Sequence, residues 1–358
     1  MRIKKALFLG TLCTAVSGMS LFAQAGVSYA KSAEKTTEAA SSEEAESEEE
    51  TSEEVTYPIT IEHAFGETVI ESKPERIATI GWENQDTPLA LGVAPVGVSA
   101  ANYGMVTDNN LHPWTDEAFA DLGVEKPVVF DDVDGLDFEQ ISDCNPDVIL
   151  AAYSGMTQED YDTLSQIAPV IPYKEKAWQT SWREQTIENA EGMGMKPEGE
   201  KKVKEVEDLI AEKLEEYPQL EGIPTAFCWI SADDFSTFYV YLPTDPRAAY
   251  LLDLGFTLPE SVQKLAGETD DFNITVSREN ADQLDDIEMM VVYGDEDLLK
   301  ALQEDKLMSQ IPAIKNGAVV LIDSTSALAG AATPSILSIP YEIDEYLELF
   351  AKAAENIK

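Results

Sequence analysis

The sequence predicts an α/β protein of two Rossmann-like lobes with mainly parallel sheets, bridged by one long α-helix. Three observations carry this. Short β-branched runs alternate with helical patterns from Tyr57 onward, the signature of parallel strands joined by crossover helices. The alternation occurs twice, before Pro197 and after Pro218. Between those prolines Val203, Val206, Leu209, Ile210, Leu214 and Tyr217 form one apolar stripe at helical spacing.

The size permits this architecture. With 358 residues, 44% of them hydrophobic, the chain can bury one large or two medium cores. Its 68 acidic residues against 24 basic ones give a formal charge of −44. Such a surface repels phosphate backbones and anionic headgroups, so nucleic acid is excluded as a partner class.

The elements follow in chain order. Arg2, Lys4 and Lys5 precede an apolar stretch, Ala6–Phe22, and two small-x-small sites, Ala23-Gln24-Ala25 and Ser28-Tyr29-Ala30. Residues 1–30 read as a secretory signal peptide cut before Gly26 or Lys31, which implies an extracytoplasmic location, at the cell surface or in a periplasm. Gly10-Thr11-Leu12 before Cys13 does not match a lipobox, and this argues against a lipid anchor there. Residues 31–56 hold ten glutamates, two lysines and no aromatic. They read as a disordered acidic stalk that cannot offset its chain entropy by burial.

The first lobe, 57–196, begins with a hairpin around Gly66, Pro58–His63 and Glu67–Glu71. Strands follow at Arg76–Ile80, Pro95–Val98, Pro127–Phe130, Asp147–Ala151 and Pro169–Ile171, with helices at Asp86–Leu91, Asp137–Ser142 and Gln158–Ile167. Residues 197–218 read as the bridging helix, roughly 30 Å long at about 1.5 Å per residue. One stiff helix of that length implies limited closure of the lobes. The second lobe, 219–358, has strands at Thr225–Ile230, Met289–Tyr293 and Val319–Ile322, a hairpin-like Ser236–Leu242, and helices at Arg247–Leu254 and within Ser335–Ile357. Cys144 and Cys228 read as separate buried apolar residues rather than a bridge or metal pair.

Several segments resemble the substrate-binding proteins of iron-siderophore ABC importers, the two-lobed binders joined by a single helix. They are Lys73-Pro-Glu-Arg-Ile-Ala-Thr-Ile80, Leu89-Ala-Leu-Gly-Val-Ala-Pro-Val-Gly97, Phe138-Glu-Gln-Ile141 leading to Asn145-Pro-Asp-Val-Ile149, Leu164-Ser-Gln-Ile-Ala-Pro-Val170, Thr180-Ser-Trp-Arg-Glu-Gln-Thr186, Asp245-Pro-Arg247, Val276-Ser-Arg-Glu279 and Pro334-Ser-Ile-Leu-Ser-Ile-Pro-Tyr341. The resemblance runs from Tyr57 to the C-terminus. It implies a ligand cleft between the lobes, a ferric siderophore as ligand, delivery to a membrane permease, a monomer, and no enzymatic activity or resident cofactor. It also implies that Glu139 and Glu279, one per lobe, present carboxylates to permease arginines.

A ferric siderophore arrives with its iron already coordinated, so the protein must supply aromatic faces, donors and a few cations. Trp82, Tyr103, Tyr153 and Ser154 stand after strands, where α/β crevices bind ligands. Trp178 and Arg183 lie where the chain leaves the first lobe, and Trp229, Tyr241, Arg247 and Tyr293 would face them from the second. Arginine suits ligand oxygens through its planar donors. Heme or cobalamin is the alternative cargo, with Tyr103 or Tyr153 as an axial ligand. A zinc or manganese site is disfavoured because His63 and His112 are not metal-spaced. A secreted hydrolase is the remaining class, against which stands the lack of a Gly-x-Ser-x-Gly elbow.

Overall fold

A computed structural model of the chain describes residues 55–132 and 135–358. The predicted signal peptide, Cys13 and all but the last two residues of the acidic stalk lie outside the described residues. The described residues fall within one compact unit.

The chain enters through an antiparallel hairpin, β1 (Ile59–His63) and β2 (Gly66–Ile70). A five-stranded sheet follows: β3 (Ile77–Thr79), β4 (Gly97–Ser99), β5 (Val129–Phe130), β6 (Val148–Ala151) and β7 (Val170–Pro172). Its order is β5-β4-β3-β6-β7 and every pairing is parallel. Helices connect the strands, as parallel crossovers require. Both sheet faces are covered, and the strand sequences show it. Ala78, Ile149 and Ala151 enter one core with Phe130, Ile141 and Leu164, while Ile77, Val148 and Leu150 enter another with Ile171 and Met193.

The second sheet comprises β8 (Thr225–Trp229), β9 (Thr237–Tyr241), β10 (Asn273–Ser277), β11 (Met289–Tyr293) and β12 (Val319–Ile322), in the order β10-β9-β8-β11-β12. Here β8, β11 and β12 are parallel, whereas β9 runs antiparallel to both β8 and β10. The hairpin-like Ser236–Leu242 is thus one strand between two partners. Strand β10 has no counterpart in the sequence reading, nor do the helices Pro113–Asp121, Glu260–Ala266 and Glu296–Glu304.

The helix between the sheets spans Lys196–Leu214, shorter than the predicted 197–218, because Pro218 starts a separate 3-10 turn. Near its start Gly199 lies against Ala190 of the helix Trp182–Gly192, where an added Cβ would come within 2.5 Å of the Ala190 side chain. Further on, Val203, Val206 and Ile210 bury into the core formed with Tyr250, Leu251, Tyr346 and Phe350. It is not the only tie. Met105 donates its N–H to the Ser326 carbonyl at 2.9 Å, Ser335 donates its hydroxyl to buried Asp86, and Trp182 donates its indole N–H to Asp253 at 2.9 Å. Cys144 and Cys228 are free and buried. Among the described residues no helix is long and apolar enough to cross a membrane.

Candidate functional site

The first sheet reverses its winding at β3. The chain moves outward through β4 and β5, then returns to place β6 on the other side of β3. The crevice beyond the C-terminal ends of such a strand pair is where open α/β sheets bind ligands. After β3 come Ile80-Gly81-Trp82-Glu83, and after β6 come Ala152-Tyr153-Ser154-Gly155.

These two loops are held together by backbone fit. Trp82 donates its N–H to the Tyr153 carbonyl at 3.2 Å. Gly81 has φ +79°, and a Cβ there would sit 2.6 Å from that carbonyl oxygen, so only glycine lets the loops meet. Asn84, fully buried, locks both loops. Its Nδ2 donates to the carbonyls of Ile80 (2.7 Å) and Tyr153 (2.9 Å), and its Oδ1 accepts from Tyr153 N–H (3.1 Å) and Asn189 Nδ2 (3.0 Å). Gln185 adds a hydrogen bond to the Trp82 carbonyl at 2.9 Å.

A cavity of about 390 Å3 opens on these loops, walled by Trp82, Leu136, Ser154, Met156, Asp132 and Trp178 among others. Trp178 meets Trp82 edge-on with ring centroids 5.7 Å apart, and Tyr153 at 5.3 Å. Its ring also covers Gly155, where a Cβ would lie 2.6 Å from the indole. Non-glycine residues with positive φ are Glu83, Asn110, Asn145 and Trp178 among those described. The two asparagines adopt it readily, whereas Glu83 and Trp178 do so at a cost of about 1 kcal/mol or more. Both of these line cavities. The strain is concentrated at the site.

The second sheet contributes a cation. Arg247, second residue of the helix Pro246–Asp253, is bidentate to buried Asp245 (2.8 and 2.7 Å) and stacks 3.9 Å over the Tyr241 ring. Burial opposes its charge, but Asp245 outweighs this and raises its pKa. Its field reaches Tyr103, Tyr153, Tyr241 and Tyr293, and on each phenol it works against burial, which wins and pushes the pKa up. Tyr103 and Tyr293 pack edge to face at 5.3 Å across the two halves.

The predicted residues therefore separate into groups. Trp82, Tyr153, Ser154 and Trp178 come together at the switch point, although the Ser154 hydroxyl is spent on the Ala151 carbonyl at 2.9 Å. Tyr103, Tyr241, Arg247 and Tyr293 gather around one charge. Trp229 is exposed at the end of β8 and stacks on Tyr239 at 5.5 Å. Arg183 pairs with Glu207 (2.6 Å) and Asp253 (2.7 Å), and so ties three helices. In so acidic a chain, tertiary neighbours decided which arginine stayed near the site. Glu139 and Glu279 are exposed in the first turns of Phe138–Asp143 and Arg278–Gln283, capped by Asp137 and Ser277. Burial raises the phenols of Tyr153 and Tyr103, which opposes the tyrosinate that a heme axial ligand requires.

Sequence reasoning missed Glu83, Asn84 and Gln85. All three are buried, though Glu83-Asn84-Gln85-Asp86 reads as a polar run. Its position directly after a buried strand was the available signal.

Residues 77–325 match the model of the periplasmic binding protein family. The crystal structure of PiaA from Streptococcus pneumoniae TIGR4 in complex with ferrichrome is 48% identical, covers 84% of this chain and 100% of its own, and superposes with a TM-score of 0.81. The petrobactin-binding protein YclQ of Bacillus subtilis (strain 168) is 25% identical over 305 residues, 81% of this chain and 88% of YclQ. Staphylococcus aureus SirA complexed with staphyloferrin B, 23% identical with a TM-score of 0.63 over 84% of this chain and 99% of its own, shares the fold.

Proposed function

This chain belongs to the periplasmic binding protein family, and we propose that it is the extracytoplasmic substrate-binding component of an ABC importer, capturing a ferric siderophore and delivering it to the membrane permease. The observation that carries this is the aromatic cavity at the switch point, with Trp82 and Trp178 set edge to face and Trp178 held in a left-handed backbone. Aromatic walls and a pre-paired arginine suit a bulky chelate whose iron is already coordinated. Ferrichrome, the ligand of the 48% identical pneumococcal protein, points to a ferric hydroxamate.

In this reading the protein is a monomeric binder rather than a catalyst, with one lobe before and one lobe after the helix Lys196–Leu214. The cross-links at Asp86, Met105 and Trp182 support limited closure. Titration of intrinsic tryptophan fluorescence with ferrichrome, hemin and cobalamin should give saturable quenching with ferrichrome alone. Turnover of a chromogenic ester without such quenching would sink the binder reading. Glu139 and Glu279 dock to the permease. Reversal of both charges should abolish uptake in cells while leaving ligand affinity intact, and uptake at the normal rate would remove that role.

A further inference from the structure

A second, smaller recess adjoins the aromatic cavity and shares Gly81, Trp82, Ser99, Ala100 and Asn102 with it. Its volume is about 20 Å3, enough for one water-sized group. Glu83, Gln85 and His112 line it, and all three are buried. Glu83 is only 4% exposed, and its Oε2 and the Gln85 Oε1 have no hydrogen-bond partner among the described residues. Each such orphan costs about 1–3 kcal/mol, more for a charged group. The fold nonetheless holds Glu83 there at φ +59°.

Two carboxyls and one guanidinium set the charge around the recess. Asp86, buried nearby, adds a second carboxyl. Arg247 acts on Glu83, yet both arms of its guanidinium contact are committed to Asp245. His112 is neutral at physiological pH, because burial pushes its pKa down to about 4. Tyr103 and Tyr153, the remaining titratable groups facing Glu83, carry un-ionised phenols. Burial, then Asp86, raise the Glu83 pKa and Arg247 lowers it. Burial thus favours the neutral acid in the recess, and a cation seated against the unpartnered oxygens would restore the Glu83 carboxylate.

We propose that this recess is a subsite for a protonated primary amine carried by the ferric siderophore, with Glu83 as its counter-charge and Gln85 as a neutral acceptor. The proposal rests on the ferric-siderophore reading above. An ammonium head is close to water in size and brings three donors, so it matches both orphan oxygens. A neutral ligand leaves them to solvent. The subsite would make the protein discriminate among siderophores by a group remote from the iron.

The test uses two iron(III) trihydroxamates of identical backbone, one ending in a primary ammonium and one N-acetylated at that nitrogen, with ferrichrome alongside. Tryptophan quenching of the intact chain at neutral pH should show about tenfold tighter binding of the ammonium form, about 1.4 kcal/mol. In Glu83→Gln that ratio should fall to about one or two, with near-UV circular dichroism confirming the fold. Gln85→Ala should lower it about threefold and serves as the second variant. Equal affinities in the wild type overturn the subsite, whatever the variants do. A ratio that persists in Glu83→Gln overturns the role of Glu83. Saturable binding of none of the three chelates, ferrichrome included, is the distinct result that removes the siderophore reading itself.

Discussion

The two sheets build their shares of the candidate site by different physics. In the first half the loops after β3 and β6 are held by shape and neutral hydrogen bonds: glycines where no Cβ fits, an asparagine bridging both loops, a tryptophan in a left-handed backbone. In the second half the central element is a charge pair, Asp245 and Arg247, with phenols stacked around it. The parallel sheet thus contributes a cavity, and the mixed sheet contributes a field. The first should be broken by an added methyl group and the second by a removed charge.

The largest effect is expected from the charge side. Arg247→Met leaves Asp245, 1% exposed in its side chain, as an uncompensated buried carboxylate, and about 3–5 kcal/mol should be lost in urea denaturation. Retention of wild-type stability would show that the pair is not the keystone of its half.

Next comes pH. Burial raises the Asp86 pKa from 3.8 to about 6, against the hydrogen bonds from Ser335, Thr115 and Trp114. Between those values the folded state keeps a proton that the unfolded chain releases, so stability falls as pH rises through about 4–6, by about 3 kcal/mol from this group. Glu342 and Glu188, raised chiefly by burial to about 7 and about 8, act in the same direction and extend the window upward. Denaturation midpoints should be higher at pH 5 than at pH 8, and Asp86→Asn should flatten the lower part of that slope.

Shape is tested by Gly81→Ala, whose Cβ would meet the Tyr153 carbonyl oxygen at 2.6 Å from a φ of +79°. About 2–3 kcal/mol of stability should go, together with most of the ligand-induced quenching. Trp178→Ala removes a cavity wall and should weaken ligand binding at least tenfold in the same titration. The smallest effect separates the two arginines. Arg183→Ala, with its side chain 32% exposed and partly solvated, should cost at most about 1 kcal/mol and leave ligand affinity unchanged.

Much of this arrangement is legible in the sequence. The β-branched runs located all eleven described strands other than β10, the opening hairpin included, to within two residues at each end, and the strand-then-aromatic pattern located Trp82. Where the reading failed, the signal was ambiguous or was set aside. Strand β10, Asn-Ile-Thr-Val-Ser, is only half-buried along most of its length. The helix Glu296–Glu304 had its cap, Asp295, and its apolar pair, Leu298 and Leu302, in plain view. Glu83 was missed for a different reason, since a carboxylate in a polar run reads as solvated despite its place directly after a buried strand. Its burial comes from residues far along the chain.

By itself the sequence determined most of the elements and the parallel winding of the first sheet, because hydrophobic period and turn chemistry are local properties, and its motifs carried the family. Tertiary structure alone decided which polar groups acquired partners. Asp86 meets Ser335 across 249 residues, Arg183 is claimed by Asp253 while Arg247 remains beside the tyrosines, and the oxygens of Glu83 and Gln85 are left facing a recess. Hydrogen bonds and ion pairs act over a few ångströms, and sequence separation carries no information about which groups the fold brings that close.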